Sequence, residues 1–197
     1  YDYENLAFRG VGLELGQIWP MKVEGTLSLA ARADLGLLGP GVRIVPRISF
    51  WSSRLKEGEV DDLRRNVLAL CRESGTDCLR EFGEVRVSDL AIGVDAHYTF
   101  ESAAGFLPYA GAGVALHLLN GRGELIDGTF VEDQLDAISP GIDLVAGAEV
   151  PLGSSLRIFA EARGTLASDV QYAGLGIGAS WFFPQPPAQR APAGGAR

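Results

Sequence analysis

Almost every apolar-rich stretch of this chain alternates between two unlike faces. Leu13 and Leu15 flank Glu14; Leu29, Ala31 and Ala33 flank Arg32; Ile92, Val94 and Ala96 flank Asp95; Ile158, Ala160 and Ala162 flank Glu161. A repeat of two residues belongs to extended strands with different surroundings on each side. The chain is thereby confined to β architectures, and its function turns on which face points outward.

A barrel in water would hide the aliphatic face and show Lys, Thr, Gln and Glu outside. Here the two lysines, Lys22 and Lys56, both fall in connections, and the polar face holds Gly111, Gly113, Gly147 and the row Gly174, Gly176, Gly178. Glycine weakens a strand, so a row of it marks a place where neighbouring side chains need room. The mixed charges on that face suit mutual pairing in a closed interior. The polar face is therefore read as a packed lumen and the aliphatic face as lipid-facing, the pattern of a transmembrane β-barrel; a soluble ligand-binding barrel is the weaker alternative.

No uninterrupted apolar run reaches the roughly 18 residues that a membrane helix needs, so any crossing is made by strands. A net charge of −8 without a basic stripe argues against nucleic acid. The length of 197 residues accommodates one barrel domain over 1–183 and a Pro/Ala/Gly-rich flexible tail over 184–197. No signal peptide is visible at Tyr1, as expected of a mature or trimmed terminus.

Eight strands are expected near 7–18, 23–35, 42–52, 84–100, 105–119, 140–150, 155–166 and 170–183. An even number lets an antiparallel up-and-down sheet close without a free edge. The connections at 36–41, 101–105 and 151–154 are short, while 53–83 and 120–139 are long. Barrels of this kind have short periplasmic turns and longer external loops, which puts both termini in the periplasm. Tyr98, Phe100, Phe106, Trp181 and Phe183 share the outward parity at the periplasmic end, and Trp19 and Phe50 lie at the other rim, as aromatic girdles require.

In the longest loop, Val60, Leu63, Val67 and Leu70 recur at helical spacing and predict a short amphipathic helix over 59–70. Cys71 and Cys78 follow, spaced to close a small disulfide ring worth about 2.5 kcal/mol by chain entropy. Such a bond implies an oxidising compartment; two free thiols are the alternative.

From Ser139 to Phe183 the hairpin Gly141–Glu149, the turn beginning Pro151-Leu-Gly-Ser, the strand Arg157–Arg163 and the ending Gly174-Leu-Gly-Ile-Gly-Ala-Ser-Trp-Phe-Phe183 follow one cadence. In it the chain resembles the small outer-membrane β-barrel superfamily of Gram-negative envelopes, the OmpA-type and OmpX-type eight-stranded barrels. The resemblance implies residence in the bacterial outer membrane among lipid and lipopolysaccharide. It also implies recognition by the outer-membrane insertion machinery through a terminal aromatic, the position of Phe183. The family's peptidoglycan-binding domain is not among these 197 residues, so that activity is not carried over.

Pairing Pro151 with Ser155 sets Glu149 opposite Arg157 and Asp143 opposite Arg163, whereas a shift to 149 with 155 would oppose Asp143 to Glu161. Opposite charges favour the first register. The same logic sets Asp34 against Arg43, Asp89 against His117 and His97 against Tyr109. An eight-stranded barrel filled this way is plugged. The pairs read as structural, with a proton or ion path as the sharper alternative.

Some small outer-membrane barrels are lipid A deacylases or acyltransferases, but His97 and His117, the two imidazoles, are expected near opposite ends, and His97-Tyr-Thr lacks the His-x-Ser of the deacylases. No catalytic, metal or cofactor residue is assigned. Glu124, Asp127, Glu132, Asp133 and Asp136 beside Arg122 match no calcium-loop spacing and read as a solvated loop or a contact to cation-bridged lipopolysaccharide. The expected function is that of a non-enzymatic envelope component or surface anchor, with loops 53–83 and 120–139 open to a protein partner.

Overall fold

Alternation of period two becomes eight antiparallel strands in the computed structural model, which describes residues 6–62, 64–65, 84–102, 104–122 and 137–184. They are β1 (Leu6–Pro20), β2 (Thr26–Gly39), β3 (Val42–Arg54), β4 (Arg86–Thr99), β5 (Leu107–Arg122), β6 (Ala137–Leu152), β7 (Leu156–Ala167) and β8 (Gln171–Phe182). Each pairs with its neighbour in sequence, and β8 pairs with β1 to close the barrel. Closure gives every strand a partner on both sides, the condition for strands to cross hydrocarbon without exposed peptide groups.

The faces are sorted as the sequence implies. Leu13, Leu29, Val114, Ile142, Leu144 and Ile177 are exposed on the outside, while Glu14, Arg32, Asp95, Asp143, Glu149, Glu161 and Arg163 are buried within. An exterior so continuously aliphatic is an inverted soluble protein, stable only in an apolar medium. Tyr98, Phe100, Phe106, Trp181 and Phe183 are exposed at the short-turn end, where Phe8 joins them with its ring centroid 5.5 Å from that of Phe183. Trp19 and Phe50 are exposed toward the long-connection end.

The expected strand limits need adjustment at that end. β5 runs to Arg122, and β6 begins at Ala137. Val23 does not open β2: it forms an isolated bridge with Leu55 and packs with Ile18, Trp51 and Val170 across the barrel mouth. A helix occupies 57–62 and continues at 64–65, beginning earlier than the apolar spacing suggested. Leu63, Val67, Leu70, Cys71, Cys78, the acidic residues Glu124 to Asp136 and the tail from 185 onward lie outside the described residues.

The cross-strand register differs from expectation by the same step in two hairpins. Leu152 pairs with Leu156, which sets Glu149 opposite Phe159 and Asp143 opposite Thr165, not opposite Arg157 and Arg163. Likewise Asp89 lies opposite Leu119, His117 opposite Ala91, and His97 opposite Gly111. At β2–β3, Arg43 lies opposite Leu37, beyond an irregularity in the ladder. The turns decide this: Gly153 at φ 81° and Gly105 at φ 77° occupy the left-handed region that glycine alone enters readily. The hairpins close around these residues, and charge pairing has to accommodate the register they set.

Candidate functional site, the charged lumen

The two-residue step leaves the expected pairs of those two hairpins on one face and diagonal, a separation that arginine and imidazole side chains can span. Arg157 Nη1 donates to Glu149 Oε2 at 3.1 Å, and Arg163 Nη1 lies 3.1 Å from Asp143 Oδ2. Arg43 Nη1 lies 3.4 Å from Asp34 Oδ2. His117 Nδ1 and Asp89 Oδ2 are 2.8 Å apart, and the rings of His97 and Tyr109 stack with centroids 4.8 Å apart.

These pairs belong to a larger network spanning the barrel. Glu149 is its lower hub. Arg43 on the far wall grips it with two bonds, Nη2 to Oε1 at 2.6 Å and Nη1 to Oε2 at 2.9 Å, and Arg32 adds Nη2 to Oε1 at 3.1 Å. Parallel arginine–carboxylate bonds of this sort are among the stronger polar contacts in proteins. Arg32 is fixed from other sides by Ser180 Oγ and by the ring of Phe159, whose centroid is 3.3 Å from its Cζ.

Arg163 is the central hub. Its Nη2 donates to Asp95 Oδ2 at 2.7 Å and to Glu161 Oε1 at 2.8 Å, and Tyr109 donates its hydroxyl to Glu161 Oε2 at 2.7 Å. Arg47 pairs with Glu14 at 3.0 Å; this neutralises a place where Arg32 and Arg47 face each other across β2 and β3. Near the long-connection end, Trp51 Nε1 donates to Asp89 Oδ2 at 3.1 Å and Thr165 Oγ1 to Asp143 Oδ1 at 2.5 Å.

The inward glycines make the space for this. A Cβ on Gly147 would come within 2.6 Å of the Tyr109 hydroxyl, and one on Gly176 within 2.5 Å of Glu14 Oε1. A Cβ on Gly113 would overlap Asp95, and one on Gly178 would overlap Phe159 and the backbone of Leu13. Two voids in the lumen, one lined by Glu14 and Arg47 and one by Arg32 and Glu149, measure about 10 Å³ each. Each is room for roughly one water. Above Trp51 the mouth widens into a vestibule of about 430 Å³ lined by Val23, Leu55, Val87, Leu119 and Val170.

Sequence pairing did not find the roles of Arg32, Arg47, Glu14, Asp95 and Glu161. Their inward parity was the available signal, but their partners lie across the lumen; Arg43 and Glu149 are separated by 106 residues and Arg32 and Ser180 by 148. The imidazoles stand apart: His117 pairs with Ala91, six residues along β4 from His97, or about 20 Å at strand rise. Ser139, directly opposite His117 on β6, completes a serine–histidine–aspartate set in composition. Its hydroxyl is engaged 2.7 Å from Ser168 Oγ, and Asp89, His117 and Ser139 are all 0% exposed.

Fold and lumen together define a class: the closed, plugged, eight-stranded up-and-down barrel with an apolar exterior. The sequence matches no family model and no curated relative. Among solved structures the chain is similar to Neisserial surface protein A, with TM-score 0.62 and 13% identity over 89% of this chain and 97% of that one. It is also similar to the N-terminal β-barrel domain of Pseudomonas aeruginosa OprF, with TM-score 0.50 and 13% identity over 88% of this chain and 97% of that one. The chain has the fold of the small outer-membrane eight-stranded barrels.

Proposed function

We propose that this protein is a non-enzymatic component of the bacterial outer membrane, a stable anchor whose long connections meet other surface molecules. The observation that carries the reading is the combination of a closed ladder, an aliphatic exterior and a lumen filled by mutually neutralising charges. A channel would need an open lumen, whereas rigid closure suits a platform that presents loops. In this reading the three short turns and both termini are periplasmic, and the connections after β3 and β5 are external and recognise a protein partner. Phe183 follows β8, its N–H donating to Arg9 O at 2.7 Å; in that position it serves the insertion machinery as the terminal aromatic.

The test is membrane fractionation with whole-cell protease treatment. The protein should partition with the outer membrane, migrate differently on gels before and after boiling, and be cut from outside only in the connections after β3 and β5. Recovery in a water-soluble fraction, or external cleavage at the turn 153–155, would refute the proposal.

A further inference from the structure

Three neighbouring strands end in an ordered set of outward rows at the long-connection end. Phe50, Leu90 and Leu118 lie side by side in register; two residues further along come Ser52, Ser88 and Asn120; two further again come Arg54, Arg86 and Arg122. The sequence of rows is apolar, neutral polar, cationic, which is the order of chemistry met on leaving hydrocarbon for a headgroup layer. On β1, β6 and β7 the outward strand residues Trp19, Ile138 and Leu166 near this end are exposed and apolar, while the exposed Lys22 and Asp169 lie in the connections beyond them. Among the described strand residues the row of three arginines lies on β3–β5.

Like charges directly opposite each other on neighbouring strands repel, and this row sets two such pairs in succession, Arg54 with Arg86 and Arg86 with Arg122. Two described carboxylates border the row: Glu84 Oε1 accepts from Arg54 Nε and Arg86 Nε, each at 2.9 Å, and the exposed Glu24 lies beside Arg54 on the β2 side, its N–H donating to Arg54 O at 2.9 Å. Arg122 Nε donates to Asn120 Oδ1, also at 2.9 Å. Each guanidinium is thus held by Nε, and among the described residues no bond engages its Nη edge, the edge that would meet a ligand. Arg54 and Arg86 have side chains 55% and 53% exposed.

We propose that Arg54, Arg86 and Arg122 form a binding site for the phosphate of an outer-leaflet glycolipid headgroup. The inference rests on the outer-membrane reading above and deepens it. Arginine forks match phosphate oxygens two at a time. At the spacing of adjacent strands, about 4.8 Å, the three backbones span roughly 10 Å. With strands tilted about 40° the row climbs roughly 6 Å. The headgroup layer is itself about 5–7 Å deep on each side of a bilayer. One row therefore stays within the phosphate layer while its lower neighbours, Phe50, Leu90 and Leu118, lie against acyl chains.

The full chain, folded in detergent, is titrated with bisphosphorylated lipid A, with the same lipid stripped of its phosphates, and with inorganic phosphate alone, bound species being counted by native mass spectrometry. The wild type should retain the phosphorylated lipid at least tenfold better than the stripped form and hold no inorganic phosphate at millimolar concentration. Arg54→Gln, Arg86→Gln and Arg122→Gln combined should abolish that preference, and Arg122→Gln alone should reduce it two- to threefold should the triple variant fail to fold. Glu84→Gln keeps an acceptor for the two Nε groups while removing one negative charge from the row, and should strengthen retention. Equal retention of both lipids, an unchanged preference in the variants, weaker retention by Glu84→Gln, or equally tight inorganic phosphate would each overturn the site. A chain that forms no heat-modifiable barrel in any detergent or bilayer would overturn the outer-membrane reading instead.

Discussion

Replacing Glu149 by glutamine should separate a lumen that holds the barrel together from one that merely fills it. The side chain is 1% exposed and accepts from Arg32, Arg43 and Arg157, which are 6%, 8% and 33% exposed. Removing one partner of a buried ion pair typically costs about 3–5 kcal/mol because the remaining charge is left uncompensated. Here compensation is partial: Asp34 stays 3.4 Å from Arg43, Glu161 stays 3.5 Å from Arg32, and Arg157 can turn toward water. The expected loss is therefore at the lower end, about 3 kcal/mol. Urea unfolding of the barrel in phospholipid bilayers, followed by tryptophan fluorescence and by gel migration without boiling, measures it. Arg43→Met should cost a similar amount alone and much less in the Glu149→Gln background, since residues in one charge network couple by about 0.5–3 kcal/mol. A Glu149→Gln barrel within 1 kcal/mol of wild type, or additive single and double variants, would refute the view that this cluster acts as a unit.

The exterior and the glycines make further commitments. Val114→Arg, midway along β5 and 60% exposed, should cost about 2–4 kcal/mol and impair insertion, while Leu29→Arg, near the start of β2 at Thr26, should cost less. Spin labels at positions 29 and 31 should report lipid and a label at 32 should not; the reverse would mean that the barrel is inside out. Gly178→Ala forces a methyl into Phe159 and the Leu13 carbonyl, so it should destabilise by about 1–3 kcal/mol in the same urea assay. Planar bilayers holding the wild type should show negligible conductance, and a steady large current would contradict voids of about 10 Å³.

The barrel was legible because its two faces differ in kind at almost every position: a period of two, read over segments such as Leu13–Leu15 and Ile158–Ala162, fixes strand, parity and outward face together. What the sequence left open was everything that depends on where along a strand a partner falls. Charge pairing favours a register that places Glu149 opposite Arg157, yet the same salt bridge forms with Glu149 opposite Phe159. Long side chains tolerate a two-residue slip, so complementary charge is a weak ruler, whereas Gly153, tied to its turn by a positive φ, is a strict one. The cross-lumen contacts were hidden for a different reason. Arg43 and Glu149 come from β3 and β6, strands that never pair, and only the curvature of a closed eight-stranded wall brings them within 2.6 Å. Parity shows that a charge points inward; the radius of the barrel then decides which charge it meets, and a narrow barrel lets an arginine on one wall complete a carboxylate on another. That also accounts for the glycines. Gly147 and Gly176 have no chemistry of their own, but each leaves the volume into which Tyr109 or Glu14 extends, so the pattern of smallest residues on the inner face traces the positions of the largest.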